Sequence, residues 1–178
     1  MPGDARLRDG LAQLLTARAD RTPRLAWPGG EIRRYRDELW VLPAAVPTVP
    51  LADAMGDAVL RPGETLDLGR ERGRLRLVRV MGQGMRPDLV GDGLRVAFRH
   101  GGERLRPVGR RHHQSLKKLL QDAGIAPWMR AQIPLLYAAG ELVAVADLWL
   151  AAEVVAAPGE PGYVVRWDRH PPLAGGSG

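Results

Sequence analysis

Between Arg6 and Ala19 the apolar residues Leu7, Leu11, Leu14 and Leu15 recur every three to four positions, the spacing of an amphipathic helix. The pattern then shortens. Leu25-Ala26-Trp27 and Glu31-Ile32-Arg33-Arg34-Tyr35 flank Pro28-Gly29-Gly30, and a Pro-Gly-Gly step between two β-like runs predicts a hairpin turn. Glu38 to Leu42 predicts a third short strand, and the three prolines between Pro43 and Pro50 predict a linker or domain edge. Further on, Arg74 to Val80 and Leu94 to Arg99 alternate apolar and cationic residues, as half-buried strands with one wet face do. The Gly/Pro/Asp-rich stretch from Gly82 to Gly93 between them predicts a loop.

A second helix is predicted from Ser115, an N-cap residue, along the stripe Leu116, Leu119, Leu120 and Ala123, with Gly124 closing it. A helix this short must dock on a sheet to persist. Pro127, Trp128 and Met129 predict a further helical turn, ended by Pro134. Leu135–Tyr137, the Ala139-Gly140 turn and Glu141–Val145 predict a hairpin. Trp149-Leu150, Glu153–Val155 and Gly162–Trp167 are expected to extend the sheet. The fold class is α+β: a mostly antiparallel sheet or sandwich with one or two short helices, preceded by a small helix-plus-hairpin remnant. The predicted division is 1–50, a linker at 51–72, a main domain at 73–170 and a flexible tail at 171–178.

Charge narrows the function. The 178 residues carry a net charge of +6 and a sequence pI near 10.6, which points to polyanions. Of 26 basic residues only Lys117 and Lys118 are lysine. An absence of cysteine excludes disulfides, thiolate zinc sites and cysteine nucleophiles. No apolar run reaches the roughly 20 residues of a membrane-spanning helix. Met1 to Arg6 lacks a secretory apolar stretch, so a cytoplasmic location is expected. No nucleophile–base–acid set, paired carboxylates or phosphate-binding loop can be assembled, so no catalytic residue is assigned. Gly82-Gln83-Gly84 lacks the third glycine of a dinucleotide fingerprint and reads as a turn.

The cations concentrate between Leu94 and Leu120. Arg99, Arg104, Arg106, Arg110, Arg111, Lys117 and Lys118 are the candidate RNA-binding residues. Arginine presents a planar fork to phosphate oxygens and lysine a mobile point charge. Gly101, Gly102 and Gly109 give the backbone room near a ligand, and the helix at Ser115 is expected to aim free N–H groups at the same loop. A merely solvated cationic loop would carry the same charges. His112 and His113 have no ligand-spaced partners and are not assigned to a metal. Together with Trp128 they are candidate RNA contacts or anchors.

The same stretch resembles a known family. Leu94 to Pro107, then Ser115 to Gln121, Gly124 to Arg130, Ile133 to Tyr137 and Gly140 to Ala144 are similar, in order, to the C-terminal domain of bacterial tRNA(Ile)-lysidine synthetase. Gly30–Tyr35 and Leu39-Trp40 resemble the end of that enzyme's middle, substrate-binding domain. The resemblance implies a domain like one in the phenylalanyl-tRNA synthetase β subunit, engaging the acceptor stem of an isoleucine tRNA. It further implies an enzyme that uses ATP to activate C2 of the anticodon cytidine and attaches free lysine there. That chemistry belongs to an N-terminal ATP-pyrophosphatase domain with a Ser-Gly-Gly-x-Asp-Ser loop, which this chain lacks. The chain is therefore expected to be the tRNA-holding piece, inactive alone, using no cofactor itself, with tRNA and the missing ATP- and lysine-using domain as partners. The competing expectations are a stand-alone structured-RNA-binding module and a protein-interaction module without a ligase role.

Overall fold

The computed structural model describes residues 4–17, 23–43, 58–69, 72–171 and 173. They fall into two compact units, one holding the described residues up to Pro43 and the other those from Ala58 onward.

In the first unit the leucine spacing forms α1 (Asp4–Thr16), followed by β1 (Arg24–Trp27), β2 (Gly30–Tyr35) and β3 (Glu38–Pro43) in one antiparallel sheet. The helix packs on the side of the sheet that carries Leu25: a methyl group at Gly10 would strike the Leu25 side chain. Leu14 is buried. Arg34 closes the helix C-terminus, its Nη1 donating to the carbonyls of Leu14, Leu15 and Ala17 at 3.2, 2.7 and 3.2 Å. Those carbonyls have no partner within the helix, and a guanidinium beside them also meets the negative end of the dipole. Glu31 is buried and ion-paired with Arg33 at 2.6 Å.

The second unit contains two larger antiparallel sheets. The five-stranded sheet has the order β12-β11-β10-β7-β4, from Trp149–Leu150, Glu141–Val145, Leu135–Ala138, Leu94–Ala97 and Val59–Leu60. The three-stranded sheet has the order β13-β6-β5, from Pro161–Asp168, Arg74–Met81 and Thr65–Asp67. Alternation does what the sequence promised: Leu75, Leu77, Leu94 and Val96 are buried while Arg74, Arg76 and Arg95 face out. Ala139 and Gly140, both at positive φ (48° and 87°), turn β10 into β11, as a two-residue hairpin connection requires. A small ladder, β8 (Arg104–Leu105) with β9 (Gln114–Ser115), leads into α3 (Leu116–Asp122), whose Leu116, Leu119 and Leu120 are buried.

Several expectations need correction. The stretch 51–72, read as a linker, contains β4 and β5, which pair with β7 and β6. Each is only two or three residues long, too short for an alternation to register. The loop 82–93 holds a single helical turn, α2 (Pro87–Val90), started by proline at its first position. Within it Gly84 has φ +81°, and a Cβ there would lie 2.5 Å from the Tyr163 carbonyl oxygen, so close packing explains this glycine. Residues 152–154 form a 3-10 turn rather than a strand, and the 3-10 turn after Trp128 occupies Arg130–Gln132. Of the predicted tail, residues 172 and 174–178 lie outside the described residues, as do 44–50 of the proline-rich edge.

Candidate RNA interface

The cationic stretch is a clamped hairpin. Leu105 and Pro107 turn inward and are buried, leaving Arg104 exposed beside them. Two backbone hydrogen bonds tie its outgoing arm to the end of β12 and the residues after it, Val108 N–H to Leu150 O at 3.0 Å and Ala152 N–H to Arg106 O at 2.8 Å, and together they make an antiparallel bridge between Pro107 and Ala151. Arg110 N–H donates to Pro107 O, forming the turn from which Arg110, Arg111, His112 and His113 all project into solvent. At the hairpin base, Leu116 N–H donates to Glu103 O at 2.9 Å, joining hairpin and α3.

Glu103 organises the approach to β8. Its carboxylate accepts from the backbone N–H groups of His100 and Gly101 and lies 3.4 Å from Arg99 Nε, with only 7% of the side chain exposed. Burial pushes its carboxyl upward, but the Gly101 and His100 N–H groups and the Arg99 charge outweigh this and hold it below the ordinary carboxylate value. Gly101 and Gly102, at φ +99° and +87°, form the accompanying turn.

The seven predicted phosphate contacts therefore divide. Arg99 is held by Glu103. Arg106 Nε donates to Glu153 Oε1 at 2.7 Å, and this hydrogen bond is the main reason that the Glu153 carboxyl sits below its ordinary value. Arg104 makes a long contact to the His113 carbonyl, 3.4 Å, and remains exposed. Lys118 reaches Asp122 at 3.3 Å across one turn of α3, a solvent-exposed pair worth little. Arg110, Arg111 and Lys117 are exposed with no ion pair or hydrogen bond from their charged groups among the described residues. Sequence alone did not reveal that Arg106 is engaged, because Glu153 lies 47 positions away along the chain, whereas the partner of Arg99, Glu103, is only four residues on.

The start of α3 also differs from expectation. Ser115 Oγ accepts from Lys118 N–H at 3.3 Å, and Leu116 N–H is taken by Glu103, so the helix aims few free donors outward. His113 Nε2 lies 3.7 Å from Glu153, and His112 is exposed. Among the described residues no three of His, Asp or Glu come together as a metal site would need. Trp128 is half-buried in the turn following α3. Trp149 stands beside the hairpin tip, where it shares a groove with Arg110, Val108, Leu119 and Asp122. The sequence marks Trp149 as part of a strand, and nothing in its spacing ties it to the cationic hairpin.

Comparison with known proteins bears on this region. The family described as "TilS substrate C-terminal domain" matches residues 94–167, and the "TilS substrate binding domain" matches residues 1–40. A "tRNA(Ile)-lysidine synthase" of Alkalilimnicola ehrlichii is 41% identical, over 98% of this chain and 38% of its own length. Proteins of the same description from Methylococcus capsulatus and Ralstonia nicotianae are each 38% identical, over 87% and 80% of this chain and 35% and 32% of their own. The chain thus spans little more than a third of the curated relatives that it matches.

Proposed function

Because the chain belongs to the tRNA(Ile)-lysidine synthase family, of which it carries the substrate-binding and C-terminal domains, we propose that it holds an isoleucine tRNA by the acceptor stem. A-form RNA hides its base edges in a deep, narrow major groove, so a protein grips it through phosphates, 2′-hydroxyls and shape. The β8–β9 hairpin and α3 suit that task. Arg104, Arg110, Arg111 and Lys117 stand exposed on one clamped module, and Lys118 joins them once its surface pair with Asp122 opens. The observation that carries the reading is that Arg104, Arg110, Arg111 and Lys117 have no carboxylate partner among the described residues, beside Arg99 and Arg106, which carboxylates already hold.

Holding the stem would present the anticodon to the remainder of the enzyme, where ATP activates the cytidine and lysine is attached. That catalytic step, its use of ATP and lysine, and a place in the cytoplasm among the tRNAs belong to this proposal for the whole protein. This chain's share is binding alone. Competition between isoleucine tRNA, an unrelated tRNA and heparin for the 178-residue chain tests it. Preferential retention of isoleucine tRNA is expected. Equal binding of both tRNAs would indicate a general structured-RNA module, and binding of neither would contradict an RNA role.

A further inference from the structure

The groove beside the hairpin tip is unlike the cationic surface around it. Its walls are Pro107, Val108, Leu119 and Trp149, while Arg110 and Asp122 stand at its polar rim. Val108 is 55% exposed, an apolar side chain left open to water in a groove that also holds the charged Arg110 and Asp122. Trp149 is half-buried, and its indole N–H has no hydrogen-bond partner among the described residues. Trp149 also lines a second concavity, with Ala146, Tyr163 and Val164. A tryptophan in a packed core has its N–H matched and its faces covered. Trp167 shows that arrangement in this protein, donating to the Arg72 carbonyl at 2.6 Å with its ring stacked on His170 at 3.9 Å.

We propose that this groove takes one unpaired nucleobase, stacked on Trp149 against Val108 and Leu119, at the end of the RNA stem held by the neighbouring cations. The chemistry matches a base on each count. An aromatic face and aliphatic wall receive the π surface, and the rim offers donors from Arg110 and an acceptor in Asp122 to the polar edge. The guanidinium at the groove mouth also serves the phosphate that the base carries with it. A continuous duplex has no free base to offer, whereas the single-stranded end of a stem has. The inference rests on the acceptor-stem reading and extends it from the sugar-phosphate backbone to a base.

The test uses the 178-residue chain and two RNA hairpins with the acceptor-stem sequence, one blunt and one with a single unpaired 3′ nucleotide. The overhang is expected to tighten binding about tenfold. Trp149→Leu should abolish that gain while leaving blunt-stem affinity and its salt dependence unchanged. Should Trp149→Leu lose its cooperative melting, the uncharged Val108→Ser on the exposed wall carries the same comparison. A blunt stem that binds the wild type as tightly as the overhang, or an overhang gain that survives both substitutions, would overturn the groove assignment alone. Failure of either RNA to bind in a salt-dependent way would overturn the acceptor-stem reading as well.

Discussion

Arg99 and Arg111 have the same side chain and differ in their neighbours. Arg99 lies against Glu103, a carboxylate that also fastens the His100–Gly101 turn, whereas Arg111 is exposed with no ion pair among the described residues. Glu103→Gln removes a buried charge from three favourable contacts and is expected to cost about 1–2 kcal/mol at neutral pH. The folded carboxyl of Glu103 is depressed, so its contribution is fully present above the unfolded value near pH 4.3 and is lost as acid titrates the folded form. Denaturant midpoints of wild type and variant should therefore be well separated at pH 7 and converge in acid. A gap independent of pH would mean that the side chain acts by shape rather than charge. Arg110→Ala with Arg111→Ala should weaken RNA binding about tenfold or more with little change in melting. Arg106→Ala should shift stability by about 0.5–1 kcal/mol through Glu153 and affect RNA less.

The α3 helix shows what a seven-residue element needs. Its three buried leucines dock it, and Ser115 caps it. Ser115→Ala should cost about 1 kcal/mol in thermal or chemical denaturation. Lys117→Ala with Lys118→Ala should weaken stem binding while melting stays within about 0.5 kcal/mol of wild type. Long alternating or striped segments announced themselves in the sequence: β6, β7, α3 and the β10–β11 hairpin lie where period and turn residues put them. The elements that escaped were short or non-local. Strands β4, β5, β8 and β9 have two or three residues each, too short to show a period; β4 is held by the distant β7, while β5 and β8 pair with the strands that follow them, β6 and β9. The site was legible as a concentration of cations. Its partition was not, because Glu153 and Trp149 approach the hairpin only through the backbone clamp at Leu150 and Ala152.

At the level of the molecule, the first compact unit contains the match to the substrate-binding domain and the second contains the match to the C-terminal domain together with the described residues 58–93 ahead of it, and Arg104, Arg110, Arg111 and Lys117 lie on the second. A net charge of +6 attracts any polyanion, so charge alone identifies no partner. What distinguishes a built interface is that a few named residues account for the counterions released on binding. Salt titration of acceptor-stem RNA binding, wild type against a chain with Arg110, Arg111 and Lys117 all changed to Ala, measures this directly. With Arg104, Arg110, Arg111, Lys117 and Lys118 on phosphates the wild type should give a log–log slope of about −4 to −5, falling to about −2 in the variant. A slope unchanged by the three substitutions, or a nearly salt-independent wild type, would contradict the assignment of this hairpin and helix as the RNA grip.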